Sequence, residues 1–403
     1  MTWCRVGDTD RYGPPLRPES LLLHPSSTSG LETSSLRTVH ATSIDHPDTD
    51  TIKNKSLVIS AVDLFCGAGG LSQGLQEAGV LVVGGVDNDP NCTFAFESNI
   101  EAPFIERDVR EITAEMLEPL WVPGSIRLLA GCAPCQPFSP YRRGVDTSGE
   151  EQWPLLREFS RLVTDIMPEL VTMENVPRIG KSAVFQEFVS DLEALGYHVD
   201  WRSCYGPKFG LPQQRRRLVL LASRLGPIEV PEGDLQEEQF PTVRDVIGML
   251  PKLASGEADL NDPLHFARNL SPLNLQRIIA SKPGGTWLDW PDELLSPCHR
   301  KASGSSFKSV YGRMEWDKPA PTITTGSSNF GAGRFGHPEQ HRSITLREAA
   351  LLQGFPQGYK LAPKGKKVVA HQIARLVGNA VPPPIARAVG KSAFAHVYAQ
   401  VKP

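Results

Sequence analysis

The chain has 403 residues, 40% hydrophobic and 22% charged, an ordinary composition for a soluble globular protein of two domains, or of one large domain with an insertion. Lys plus Arg number 42 against 45 Asp plus Glu; the net charge of -3 sets aside binding of nucleic acid through overall basicity, though a local basic cleft would suffice. Seven cysteines at irregular spacing argue against a disulfide scaffold, and no apolar run approaches the roughly 20 residues of a membrane span.

Residues 1–54 are rich in Ser, Thr, Pro and Asp without apolar periodicity, and are expected to be a disordered extension. Leu21-Leu22-Leu23 is too short for the apolar core of a signal peptide, so with free thiols the chain reads as soluble and cytoplasmic. Order is expected from residue 57. The apolar, β-branched run 57–63 predicts a buried parallel strand ending at a glycine turn. Residues 70–78 predict a helix stopped by Gly79, residues 80–87 a second strand and 91–99 a second helix. Further strands are expected at 128–131, 170–173 and 218–222, with a helix over 183–195 ended by Gly196. Strand alternating with helix predicts an α/β fold, a doubly wound and mostly parallel sheet. The alternation fails after Ser223, where the chain becomes rich in Pro, Gly, Ser and Trp, with a short strand expected at 307–311. Helical sequence returns at 344–353 and 371–395. The expected division is therefore a discontinuous α/β domain, 55–224 and 344–403, interrupted by a small irregular domain, 225–343.

Three segments carry the chemistry. Asp63-Leu64-Phe65-Cys66-Gly67-Ala68-Gly69-Gly70 ends the first strand, where glycines let backbone approach a ligand at a helix N-terminus. Leu71-Ser72 breaks the G-x-G-x-x-G fingerprint and weighs against a dinucleotide. Asp87, closing the second strand, is placed to accept from ribose hydroxyls. Pro134-Cys135-Gln136-Pro137-Phe138 supplies a thiol on a loop stiffened by two prolines, and Met173-Glu174-Asn175-Val176 supplies an acid at a strand end. Gln213-Gln214-Arg215-Arg216-Arg217 adds cations; alternate residues of an extended segment face one way, so Arg215 and Arg217 are expected to point together and Arg216 away. Cys132 and Cys135 also form a C-x-x-C pair, but no second Cys/His pair stands at zinc spacing, and Cys132 reads as a small buried hydrophobe.

In this order the segments resemble the DNA (cytosine-5) methyltransferases of bacterial restriction-modification systems, over about residues 57–395. The resemblance implies S-adenosyl-L-methionine as cofactor and a methyltransferase fold with an inserted target-recognition domain. It implies Cys135 as nucleophile at carbon-6 of the base, Glu174 as the acid at ring nitrogen-3, Asn175 orienting it, and Arg215 and Arg217 lining the site. Asp63, Phe65, Gly67, Ala68, Gly69, Gly70, Asp87, Asn88, Asp108, Val109, Pro134, Asn379 and Val381 would surround the cofactor; Arg107 departs from the family's usual Gly. Gln136, Ser139, Arg142 and Arg143 would meet double-stranded DNA as the loop after the thiol closes on a flipped base. Trp287, Trp290, His299, Arg300, Lys301 and Arg313 offer groups for groove contacts. Lys318-Pro319-Ala320-Pro321, Leu346-Arg347-Glu348 and Val377-Gly378-Asn379-Ala380-Val381-Pro382 match segments flanking and closing the family fold. A monomer with a cognate restriction endonuclease is the implied setting, with no membrane and no metal.

Three readings compete. A tRNA cytosine-5 methyltransferase shares the fold, but that branch usually has Thr at Ser139 and Gly-Phe at Pro177-Arg178. A non-catalytic binding module is disfavoured by the intact Cys135, Glu174 and Arg217, and a Rossmann oxidoreductase by the broken fingerprint.

Overall fold

The first strand, β1 (Ile59–Leu64), is buried along its whole length, as expected of a central strand with helices on both faces. The computed structural model describes residues 57–134, 154–301 and 308–401. The extension expected at 1–54 lies outside them. In chain order follow α1 (Gly70–Glu77), β2 (Leu81–Asp87), α2 (Thr93–Glu97), β3 (Phe104–Glu106), α3 (Ala114–Leu117), β4 (Ile126–Gly131), α4 (Pro154–Ile166), β5 (Leu170–Asn175), α5 (Ala183–Ala194), β6 (His198–Tyr205) and β7 (Arg216–Ser223).

These seven strands form one sheet in the order β3-β2-β1-β4-β5-β7-β6. Every neighbouring pair is parallel except those made by β7, which runs antiparallel to β5 and to β6. The reversal matters for the site. It brings the start of β7 to the end of β5, with Asn175 opposite Leu218 and Glu174 opposite Val219.

One face of the sheet packs on α1 and on the last helix, α10 (Pro383–Val401), through residues such as Leu71, Leu75, Ile385 and Val389. The other face packs on α4 and α5 through Phe159, Leu162, Phe185 and Phe188. Helices α6 (Val243–Ile247) and α7 (Pro272–Ala280) punctuate the irregular segment, before α8 (Leu346–Leu352), α9 (Ala370–Asn379) and α10 (Pro383–Val401). Residues 225–343 have a small apolar core of their own around Ile278, Trp287, Trp290 and Phe330. They also share a larger one, in which Val243, Ile247, Met314 and Phe335 pack with Leu346, Leu352 and Val377, and with Ala68, Cys92 and Ala95.

Several expectations are corrected. The single helical stretch at 371–395 is two helices, because Pro382, Pro383 and Pro384 cannot donate backbone hydrogen bonds. The strand expected at 307–311 is a turn over its described part, 308–311, where Tyr311 has a φ of 54° that no strand admits. Helix α4 and strands β3 and β6 were not anticipated. No helix among the described residues is long and apolar enough to cross a membrane.

Candidate active site

The loop between β1 and α1 is built on left-handed backbone, with φ of 59° at Phe65, 52° at Gly67 and 83° at Gly69. Its position is fixed by Asp87 at the end of β2. One carboxylate oxygen accepts from the Gly67 amide at 2.9 Å and the other from the Asp89 amide at 2.9 Å. Burial nonetheless raises the Asp87 pKa above the ordinary carboxylate range. A Cβ at Gly67 would meet nothing within 4 Å, so that side of the turn is open to a ligand. A Cβ at Gly70 would lie 2.3 Å from the carbonyl of Val381, so only glycine allows α1 to start against the segment between α9 and α10. Tyr359, which sequence reading missed, donates its hydroxyl to the Ala68 carbonyl at 2.5 Å and braces the loop from below α8 in the chain.

The remaining expected cofactor residues differ in placement. Asn88 and Asn379 are exposed; Val109 and Val381 are buried. Asp63 is 1% exposed and accepts the Ser72 hydroxyl at 2.6 Å, so it serves the start of α1 from inside, and burial pushes its carboxyl up to about 7. Asp108 is gripped by its neighbour two residues on: the Arg110 side chain donates at 2.9 and 2.6 Å, which holds the carboxyl down at about 2.

Glu174, at the end of β5, is 5% exposed. Arg217 Nε stands 3.0 Å from its Oε1 as an ion pair whose N–H is not aimed for a hydrogen bond. The Cys132 thiol donates to Oε2 at 3.2 Å. Cys132 is therefore a polar partner of the acid, and its reading as a small hydrophobe is corrected. Asn175 does not contact Glu174 through these bonds: its amide donates to the Ala133 carbonyl at 3.0 Å and its oxygen accepts from the Val176 amide at 2.8 Å. It thereby pins the chain two residues before Cys135. Pro134 is exposed, and Cys135, Gln136, Ser139, Arg142 and Arg143 lie outside the described residues.

Arg215 departs from expectation. It is 2% exposed and donates to the carbonyls of Ile323, Gly378 and Ala380, so it turns into the molecule instead of joining Arg217. The segment at 213–215 precedes β7 and is not part of it, which frees Arg215 from strict alternation. Arg216 faces away, as expected, with its guanidinium 4.3 Å over the Tyr205 ring. In the irregular segment, Trp287, Trp290 and Arg313 are core residues: both indoles are 6% exposed, His299 stacks on Trp287 at 4.3 Å, and Arg313 bonds the carbonyls of His337, Ile278 and Ser281. Arg300 and Lys301 are exposed, Arg300 donating to the Asp292 carbonyl at 2.6 Å.

Residues 59–395 match the family model for C-5 cytosine-specific DNA methylases. The chain is 48% identical over 339 residues to the Type II methylase M.HgiDII of Herpetosiphon aurantiacus, covering 83% of this chain and 95% of that protein. It is 32% identical over 341 residues to the Type II methyltransferase M1.HphI of Haemophilus parahaemolyticus, covering 83% and 86%. Among solved structures, Entamoeba histolytica methyltransferase EhMeth superposes with a TM-score of 0.59 at 16% identity, covering 85% of this chain and 99% of that one. Extending over nearly all of the described fold, these matches place the chain in the C-5 cytosine-specific DNA methylase family, as a DNA (cytosine-5)-methyltransferase of Type II restriction-modification kind.

Proposed function

We propose that the chain methylates carbon-5 of a cytosine flipped out of a short duplex site, through a covalent adduct with Cys135, using S-adenosyl-L-methionine. The observation that supports it most is the buried Glu174 carboxylate, with Arg217 Nε at 3.0 Å and the strand leading to Cys135 beside it. Carbon-5 of cytosine is a weak nucleophile. Bonding of the Cys135 sulfur to carbon-6, with a proton from Glu174 at nitrogen-3, makes carbon-5 electron-rich enough to take a methyl group; the carbon-5 proton then leaves to solvent, the carbon-6–sulfur bond breaks to release the thiolate, and the nitrogen-3 proton returns to Glu174. Arg217 holds the acid in place and adds positive charge that favours a thiolate nearby.

The cofactor supplies an electrophilic methyl group when bound. The open side of Gly67 suits it, with Phe65 and Gly69 shaping the turn, Asp87 presenting its carboxylate to a ribose, and Asn88, Asn379 and Val381 at the margins. Asp63 and Asp108 are assigned supporting roles, since the first is buried on Ser72 and the second is held by Arg110. Flipping costs about a few kcal/mol, and Gln136 and Ser139 would support the opened strand while Arg142 and Arg143 meet phosphates. Residues 225–343 would choose the site. The protein would act as a monomer in the cytoplasm and protect DNA from a cognate endonuclease.

Duplex DNA carrying 5-fluorocytosine at the target tests this. Wild type should form a complex stable to denaturation in the presence of S-adenosyl-L-methionine, and Cys135→Ala should form none while still binding the cofactor. Trapping that survives in Cys135→Ala would remove the assignment, and methylation of tRNA in place of duplex DNA would redirect the substrate.

A further inference from the structure

The two oxygens of Glu174 face unlike partners. Oε1 lies against Arg217, whose guanidinium carries donors only and has no acceptor to offer. Oε2 receives the Cys132 S–H at 3.2 Å. The backbone register brings the two residues together. Gly131 pairs with Met173 in the parallel β4–β5 register, so the next residues on each strand, Cys132 and Glu174, are carried side by side. One step further on, Asn175 bonds the carbonyl of Ala133 and holds the two segments together beyond the end of the ladder.

A thiol is weakly amphoteric. It donates to a carboxylate, and its sulfur accepts from a carboxylic acid O–H once the thiol hydrogen swings aside. An acid that loses and regains a proton in each cycle needs such a partner, because a buried oxygen left without one costs about 1–3 kcal/mol. Oε1 is a poor place for the proton beside a guanidinium, which leaves Oε2. We propose that Cys132 is a positioning residue for Glu174, keeping Oε2 aimed and hydrogen-bonded in both protonation states. The inference rests on the reading of Glu174 as the acid.

The test compares Cys132→Ala, Cys132→Ser, Glu174→Gln and the Cys132→Ala/Glu174→Gln double variant, in full-length protein with duplex DNA and labelled S-adenosyl-L-methionine. Cys132→Ala should lower kcat by about tenfold, the rate equivalent of 1.36 kcal/mol, with KM for both substrates nearly unchanged and the melting temperature lowered by no more than a few degrees. Cys132→Ser, whose hydroxyl both donates and accepts, should recover most of that loss. In the Glu174→Gln background, Cys132→Ala should add almost nothing, because the partner it serves no longer titrates. Wild-type kcat in Cys132→Ala beside a slow Glu174→Gln would overturn the inference and leave the acid standing. The same tenfold loss in the Glu174→Gln background would also overturn it, by showing a packing role. Full activity in Glu174→Gln would instead overturn the acid itself.

Discussion

Asp63 shows how a residue in a ligand-binding loop can serve from beneath it. Its carboxyl is buried, holds the Ser72 hydroxyl, and is pushed up from 3.8 to about 7 by burial. The folded protein thus favours the neutral acid. Its contribution to stability is complete below pH about 4 and is lost as pH rises to about 7. Asp63→Asn, neutral throughout, should gain on wild type across that window and hold the gain above it, by up to about 4 kcal/mol at 1.36 kcal/mol per unit. Denaturant unfolding at pH 4, 5.5 and 7.5 reads the difference; a difference independent of pH would show that folding does not shift the Asp63 pKa. At this scale the sequence singled out Glu174 and Arg217, which the structure places 3.0 Å apart, because a short motif carried each. It concealed Arg215, whose carbonyl partners lie 108 to 165 residues further along the chain.

Helix α8 illustrates what an element needs in order to sit at a junction. Thr345 and Glu348 form a reciprocal cap at its start, and Glu348 also takes two bonds from Arg342, at 2.8 and 2.7 Å, with both side chains at most 1% exposed. Burial alone would raise the Glu348 pKa, but the Arg342 bonds prevail and hold it low. Arg342→Met leaves a buried carboxylate without its cation and should destabilise the fold by about 3–5 kcal/mol. Calorimetric melting would measure it, and a loss under 1 kcal/mol would mean that water reaches Glu348. Legibility among the elements followed periodicity. Helix α4 was readable in principle, since Leu156, Phe159, Leu162, Val163 and Ile166 repeat at helical spacing and are all buried. Strand β6 was harder, because it lies at the sheet edge with polar side chains along most of its length. The turn at Tyr311 misled because an aromatic, β-branched run suits either a strand or the small apolar core it enters.

Across the whole molecule, the segment 225–343 is joined to the α/β fold by the core it shares with α8 and α9. Exchanging that segment for a relative's should change the methylated site, as bisulfite sequencing would show, only when the donor keeps apolar groups at Val243, Ile247, Met314 and Phe335. An unchanged site in a folded chimera would move recognition into the α/β fold. Charge is the second property of this scale. With a net charge of -3, DNA must be held by a local cleft. Arg142 and Arg143 to Ala should flatten the slope of log affinity against log salt by up to about 2 units while site choice survives. An unchanged slope would remove the loop after Cys135 from the DNA surface. The fold class was legible because strand and helix alternate to Ser223; the shared core was not, since it joins residues such as Ala68 and Leu352 that no local pattern relates.

The close contact between the first helix and the last sets an order on the protein's own manufacture. Gly74 of α1 lies so near Pro383 and Ala386 of α10 that a Cβ would come within 2.3 Å of the Pro383 carbonyl, and Arg215 waits for a carbonyl 163 residues later. At about 5–20 residues per second, a ribosome needs roughly fifteen to sixty seconds to cover the stretch from α1 to α10. Throughout it, the side of α1 that α10 covers in the finished fold lacks that partner. A chain cut short before residue 383 would leave that side of α1 bare, so losing α10 should cost the fold and not only the rate.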